Sequence, residues 1–339
     1  MKLHLLEDIY PAGDEHLLVY NVSGKVIPPG GLPIHSGAVV LNVETLYNIA
    51  RALNGQPVTH KFLTITGAVR QPVTVKVPLG VSAGDLLALA GGTTVEDYLL
   101  IQGGPCMGKP VTPGIPVTKT TKGIIVLPSE HPLASNYQRS LRQDLHRALA
   151  ICSQCRQCSD FCPRNLLGHP LEPHRVMRAV TYGQADADAL PQALLCSECG
   201  VCDLFACPFG LSPRQINRRL KAELAQKKYR PTWQAQDILP CPQGRQIPGS
   251  RLLWRLGLNQ YDRMAPWVEA NPQVREVRLP LQQHAGTAAL PVVQPGQQVQ
   301  EGELIARMAA GAVGANIHAS IDGTVVAVNG EIIIRGGGA

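Results

Sequence analysis

The sequence CSQCRQCSDFCP, running from Cys152 to Pro163, places four thiols within eleven residues. A second run, CSECGVCDLFACP from Cys196 to Pro208, begins 44 residues later. Eight of the ten cysteines fall in these two groups, and each group must close into a tight loop whose side chains converge. Thiols dispersed through a core serve packing, whereas thiols grouped at fixed spacing serve chemistry. In a reducing cytosol that chemistry is metal ligation rather than disulfide formation.

The spacing selects the metal. Cys-x2-Cys-x2-Cys-x3-Cys-Pro is the bacterial ferredoxin run, in which three cysteines hold one cubane and the fourth reaches across to another. Zinc sites use two separated Cys-x2-Cys knuckles instead. The repeated run predicts two 4Fe-4S clusters, one on Cys152, Cys155 and Cys158 with Cys207, the other on Cys196, Cys199 and Cys202 with Cys162. One departure stands out: Asp203-Leu-Phe-Ala206 puts four residues before Cys207 where the first run has three before Cys162. A local bulge could absorb the extra residue. A zinc-bound interaction scaffold is the competing reading of the same cysteines. Cys106 and Cys241 are isolated and read as ordinary buried thiols.

The segment between the runs carries Val176, Met177 and Val180, then Leu190, Leu194 and Leu195, at helical spacing. Ser212-Pro213 opens a further helix that extends to about Lys228. Together these predict an α-helical two-cluster domain over 138–230. The 33 glycines and 28 prolines of the 339 residues point to several small, loop-rich modules rather than one large domain. The formal charge of +6 is modest, and the basic run RRLKAELAQKKYR has few aromatic neighbours, which excludes nucleic acid as a partner. No apolar run approaches the roughly 18 to 20 residues that span a bilayer, and an acidic start excludes a signal peptide. The expectation is a soluble cytoplasmic protein with no membrane span.

FLTITGAVRQPVTVKVPLGVSAGDLLALAGG alternates Val73, Val75 and Val77 as a strand, and Ser82 opens a short helix, a β-grasp pattern over 59–128. GGPCMGK at 103–109 lacks GxxxxGK[ST] and is no phosphate loop. Short strands with PG, EG and DG turns predict a barrel-sandwich hybrid over 275–339, similar to lipoyl or biotinyl carriers. No lysine follows Lys228, so covalent lipoate or biotin is excluded. Residues 231–274 read as a linker.

Tyr10-Pro-Ala-Gly-Asp-Glu15 and Val40-Leu-Asn-Val-Glu-Thr-Leu46 resemble the YxxGEE and NNVETL segments of the flavin- and NADH-binding subunit of respiratory complex I. With the PPGGLP turn at 28–33 they also resemble the RnfC family of electron-transfer subunits. LLGHPLEPHRVMRA and LLCSECGVCDLFACPFGLSPRQINR look like the PduS-type cobalamin reductases of propanediol-utilising bacterial microcompartments. The resemblance covers nearly the whole chain. It implies an α+β multidomain protein: a partial flavin domain over 1–58, an SLBB module, a two-cluster ferredoxin domain and a C-terminal barrel-sandwich hybrid.

The resemblance further implies that Tyr10, Gly13, Asp14, Glu15, Asn42 and Thr45 line a flavin mononucleotide (FMN) pocket. Taken alone, GDE is a turn and NVETLYNIARAL a capped helix. The family's glycine-rich flavin loop lies well upstream of YPAGDE, and only nine residues precede Tyr10. The reading is therefore of the family without its N-terminal third, with a weak or incomplete FMN site that a separate polypeptide would complete. The function implied is an NADH-dependent cobalamin reductase, with NADH and cobalamin as substrates and a corrinoid-handling enzyme or microcompartment proteins as partners. The alternative is a non-enzymatic relay subunit of an RnfC-like complex.

Overall fold

Val73, Val75 and Val77 alternate with Thr74 and Lys76 in the strand Val73–Pro78, and burial follows the same two-residue period. In the computed structural model, which describes residues 2–183, 188–238, 242–270, 272 and 274–337, this strand belongs to a unit made of Leu41–Ala134 with Tyr261–Ala339. Its five-stranded sheet runs in the order Val73–Pro78, His60–Gly67, Gly123–Pro128, Tyr98–Gln102, Lys109–Val111. The pairing of His60–Gly67 with Gly123–Pro128 is parallel. Gly67 ends that pairing at φ +95°, where a Cβ would stand 2.1 Å from the Val126 carbonyl oxygen, so only glycine fits. Ser82 caps the helix Ala83–Leu89 by accepting from the Asp85 amide at 3.1 Å.

The same unit holds the barrel. Glu276–Pro280, Gln298–Val299, Gly323–Val328 and Glu331–Arg335 form a four-stranded antiparallel sheet, and Leu290–Pro291, Leu304–Arg307 and Ile317–His318 a three-stranded one. Val75 and Val77 of the first sheet share a continuous core with Val277, Leu279, Ile332 and Ile334. The Ser320 hydroxyl donates to the buried Leu79 carbonyl at 2.6 Å. The β-grasp module and the barrel are thus one packed body, each burying the other's apolar face.

The other unit comprises Met1–Val40 with Ser135–Gln260. The stretch 1–58 is divided between the two units at Val40, and 231–274 supplies structure to both. The helices Leu141–Ile151, Pro173–Tyr182 and Pro213–Gln226 pack Ala148, Val176, Met177 and Ile216 around Cys207. Ser140 and Gln143 close a capping box at the first of them. A second small core gathers Cys162, Leu171, Leu195 and Cys196. Leu190–Leu195 tightens into a 3-10 helix. The N-terminal strand Ile9–Tyr10 pairs antiparallel with Ile247–Pro248, and the helix Glu15–Ser23 follows it. Among the described residues no helix is long and apolar enough to cross a membrane.

Candidate cofactor site

Each Cys-x2-Cys-x2-Cys loop turns through two left-handed residues at matching positions. In the first they are Gln154 at φ 55° and Arg156 at φ 66°; in the second, Glu198 at φ 60° and Gly200 at φ 83°. Three of the four are not glycine, and each such residue costs about 1–2 kcal/mol. The same strain recurs at the same distance from the cysteines in both loops, although among the described residues no three such side chains are grouped closely enough to hold a single metal ion. It also aims a donor at sulfur: the Glu198 amide lies 3.3 Å from Cys196 Sγ.

Cys152, Cys155 and Cys158 line one cavity, and the fourth cysteine on that cavity is Cys207. Burial, then repulsion from Cys207, Cys152 and Cys155, pushes the Cys158 thiol up to about 12. Cys162 packs against Cys196, and its thiol is pushed up by burial and then by Cys199 and Cys196. Cys202 is raised by burial, by Asp203, by Cys196 and Cys199, and also by Cys158 of the first set. Cys207 thus shares a cavity with the cysteines of the first run, Cys162 packs against Cys196 of the second, and Cys158 is near enough to act on Cys202. The extra residue before Cys207 is taken up by a single π-turn, Val201–Phe205, where the first run has the α-turn Gln157–Asp160.

The sets differ in exposure. Cys155 is exposed and Cys152 and Cys158 are partly so, while Cys162, Cys196, Cys199 and Cys202 are all buried. Cys106 is buried in the other unit, and Cys241 lies outside the described residues.

The residues expected at the flavin divide between the units. Tyr10, Gly13, Asp14 and Glu15 belong to the helical unit, Asn42 and Thr45 to the unit of sheets. Asn42 caps the helix Val43–Leu53, accepting from the Glu44 amide at 3.0 Å, and Thr45 is exposed on it. The Tyr10 hydroxyl donates to the Cys199 carbonyl at 2.6 Å, tying the N-terminal strand to the second cysteine loop. Asp14 caps the helix Glu15–Ser23 and pairs with the buried Arg164 guanidinium at 2.6 Å. Gly13 and Glu15 are exposed.

A cavity of ≈ 360 Å³ in the helical unit is lined by Glu15, His16, Arg164, His169, Cys196 and Ser197. It brings the GDE turn and a cysteine of the second set to one space. His16, Arg164 and His169 went unpredicted. The available signal was Arg164 directly after Cys162-Pro163; the histidines carry no local pattern. Burial and then Arg164 lower both histidines to about 4, so both are neutral near pH 7. The Nδ1 atoms of His16 and His169 are buried without partners. Lys221 Nζ donates to the Cys196 carbonyl at 2.9 Å.

Residues 1–51 match the Nuo51 FMN-binding domain family, 62–110 the SLBB domain, 151–212 the 4Fe-4S dicluster domain and 263–338 the RnfC barrel sandwich hybrid domain. These matches and the mixed secondary structure make the chain an α+β multidomain protein. It is 46% identical over 344 residues to the cobalamin reductase PduS of Salmonella typhimurium, covering 99% of this chain and 76% of the relative. It is 45% identical, with the same coverage, to the cobalamin reductase PduS of Citrobacter freundii. Over 169 residues, 49% of this chain and 35% of the relative, it is 32% identical to one component of the Na(+)-translocating ferredoxin:NAD(+) oxidoreductase complex of Acetobacterium woodii. Among solved structures, an NAD+-reducing [NiFe]-hydrogenase in the H2-reduced state is similar at a TM-score of 0.34 and 22% identity, over 65% of this chain and 40% of that one.

Proposed function

The chain belongs to the family of PduS cobalamin reductases, and from that membership we propose that it is a flavo-iron-sulfur protein that delivers electrons from NADH to the cobalt of cobalamin. The observation that carries the reading is the shared cavity, where the GDE turn of the FMN-domain match meets Cys196 and Ser197 of the second cysteine loop. In this reading Cys152, Cys155, Cys158 and Cys207 hold one 4Fe-4S cluster, and Cys196, Cys199, Cys202 and Cys162 the other. When bound, flavin takes up a hydride and gives electrons singly, and clusters carry them one at a time, the increment in which cobalt changes oxidation state.

The chain's own residues supply placement and insulation. Burial of Cys162, Cys196, Cys199 and Cys202 keeps water from the second set. Tyr10 fixes the Cys199 carbonyl, and the Asp14–Arg164 pair fixes the GDE turn at the cavity. The partly exposed first set suits delivery to an outside acceptor, cobalamin or a corrinoid-handling enzyme, in a microcompartment setting. The RnfC barrel match favours a second reading, a relay subunit that passes electrons without reducing cobalamin itself.

Iron, sulfide and zinc analysis of anaerobically purified protein tests the cluster assignment. About eight irons and eight sulfides per chain are expected from two four-iron clusters. Zinc at comparable stoichiometry in place of iron would contradict it.

A further inference from the structure

We propose that Asn217 tunes the second iron-sulfur cluster, its buried side-chain amide donating to sulfur at Cys196 and so making that cluster easier to reduce. The inference rests on the reading of Cys196, Cys199, Cys202 and Cys162 as a 4Fe-4S site. The helix Pro213–Gln226 lays one stripe, at positions three and four apart, along the second cysteine loop. Arg214 Nε lies 3.0 Å from Asp203 Oδ2, Arg218 Nε donates to Glu198 Oε2 at 2.8 Å, and Lys221 Nζ donates to the Cys196 carbonyl at 2.9 Å.

Asn217 stands within that stripe and is 1% exposed. Its neighbours on the stripe all face a carboxylate or a carbonyl, yet neither its Nδ2 nor its Oδ1 has a hydrogen-bond partner among the described residues. A buried amide left so costs about 1–3 kcal/mol unless some group meets it. The atom beside it is sulfur: burial pushes the Cys196 thiol up, and the Glu198 amide and then the Asn217 side chain draw it back. Of the two ends of the amide, only the NH2 suits a sulfur that carries negative charge.

The first set has a different residue at the matching position. Each cysteine run is packed by a helix that opens on proline, Pro173–Tyr182 for the first and Pro213–Gln226 for the second. In both, the residue after the third cysteine meets the residue after that proline: Ser159 Oγ lies 2.7 Å from His174 Nδ1, and Asp203 pairs with Arg214. Four residues after the proline stands Met177 in one helix and Asn217 in the other, and Met177 lines the cavity of the first set. A thioether has no hydrogen to donate. The first set's own side-chain donor, Gln154 Nε2 at 3.4 Å from Cys152 Sγ, comes from the loop and is only half-buried. Hydrogen bonds to sulfur favour the more negative, reduced cluster and raise its potential.

Redox titration of the anaerobically purified full chain, followed by electron paramagnetic resonance, tests the proposal. Asn217→Leu keeps the volume without the donor, and Asn217→Ala removes the side chain. In a variant that keeps both clusters, one of the two one-electron steps should become harder. At fixed potential its reduced-to-oxidised ratio should fall at least threefold, or about 28 mV, while the other step changes by less than that. Met177→Leu, which removes no donor, should leave both steps within threefold of the wild type. Any other pattern in these variants overturns the inference and leaves the cluster reading standing. Loss of the second cluster from both Asn217 variants does the same, because Asn217 would then support the loop rather than tune the cluster. Wild-type protein without two iron-sulfur clusters overturns both readings.

Discussion

Replacing Cys207 with alanine removes the thiol that the second run contributes to the first cavity. Cys207→Ala should therefore disturb the cluster built on Cys152, Cys155 and Cys158 and spare that on Cys196, Cys199 and Cys202. Electron paramagnetic resonance of the reduced protein distinguishes the two, and selective loss of the second signal would contradict crossed ligation. The buried histidines set a second expectation. His16 and His169 are lowered to about 4 by burial and then by Arg164, with Asp14 opposing weakly, whereas an unfolded histidine titrates near 6.5. The unfolded chain binds the extra protons, so stability is lost as pH falls from about 6.5 toward 4. Between pH 7.5 and 5.5 each histidine should cost on the order of 1 kcal/mol. Urea unfolding of His169→Gln should show a correspondingly shallower pH dependence than the wild type; identical slopes would contradict the neutral, buried state of His169.

At the scale of elements, the two cysteine loops repeat one backbone path with different residues. Arg156 stands at φ 66° where the second loop has Gly200, and its ion pair with Glu172 is long, at 3.7 Å, with the arginine side chain itself exposed. Such a pair contributes little. Arg156→Gly should relieve the left-handed strain, keep the iron-sulfur spectrum and raise stability by up to about 1 kcal/mol in chemical denaturation. A loss of cluster absorption in that variant would mean that Arg156 does more than turn the chain. These loops were legible in the sequence because their spacing alone encodes them. The valine alternation at Val73–Pro78 and the Ser82 and Asn42 caps were legible for the same reason, each depending on neighbours within a few residues. The π-turn at Val201–Phe205 was visible only as one surplus residue. Nothing local marks whether such a surplus becomes a π-turn or an outward loop; packing of the buried Val201 and Leu204 decides it.

At the scale of the whole molecule, the modules were legible and their partition was not. Nothing local shows that Val75 and Leu279, some two hundred residues apart, would share one core, or that the segment 1–58 would divide at Val40. The cavity at His16, Arg164 and His169 is likewise assembled from distant stretches, which is why two of its three inner side chains carried no signal. Under anaerobic conditions the iron-loaded chain, supplied with FMN, NADH, cob(III)alamin and a polypeptide carrying the family's glycine-rich flavin loop, is followed by the visible spectrum of the corrinoid. NADH-dependent reduction of cobalt is expected, and it should disappear in Cys207→Ala and in Cys162→Ala. Clusters that dithionite bleaches normally while cobalamin stays oxidised in the presence of NADH and FMN would contradict it and leave the relay reading in its place.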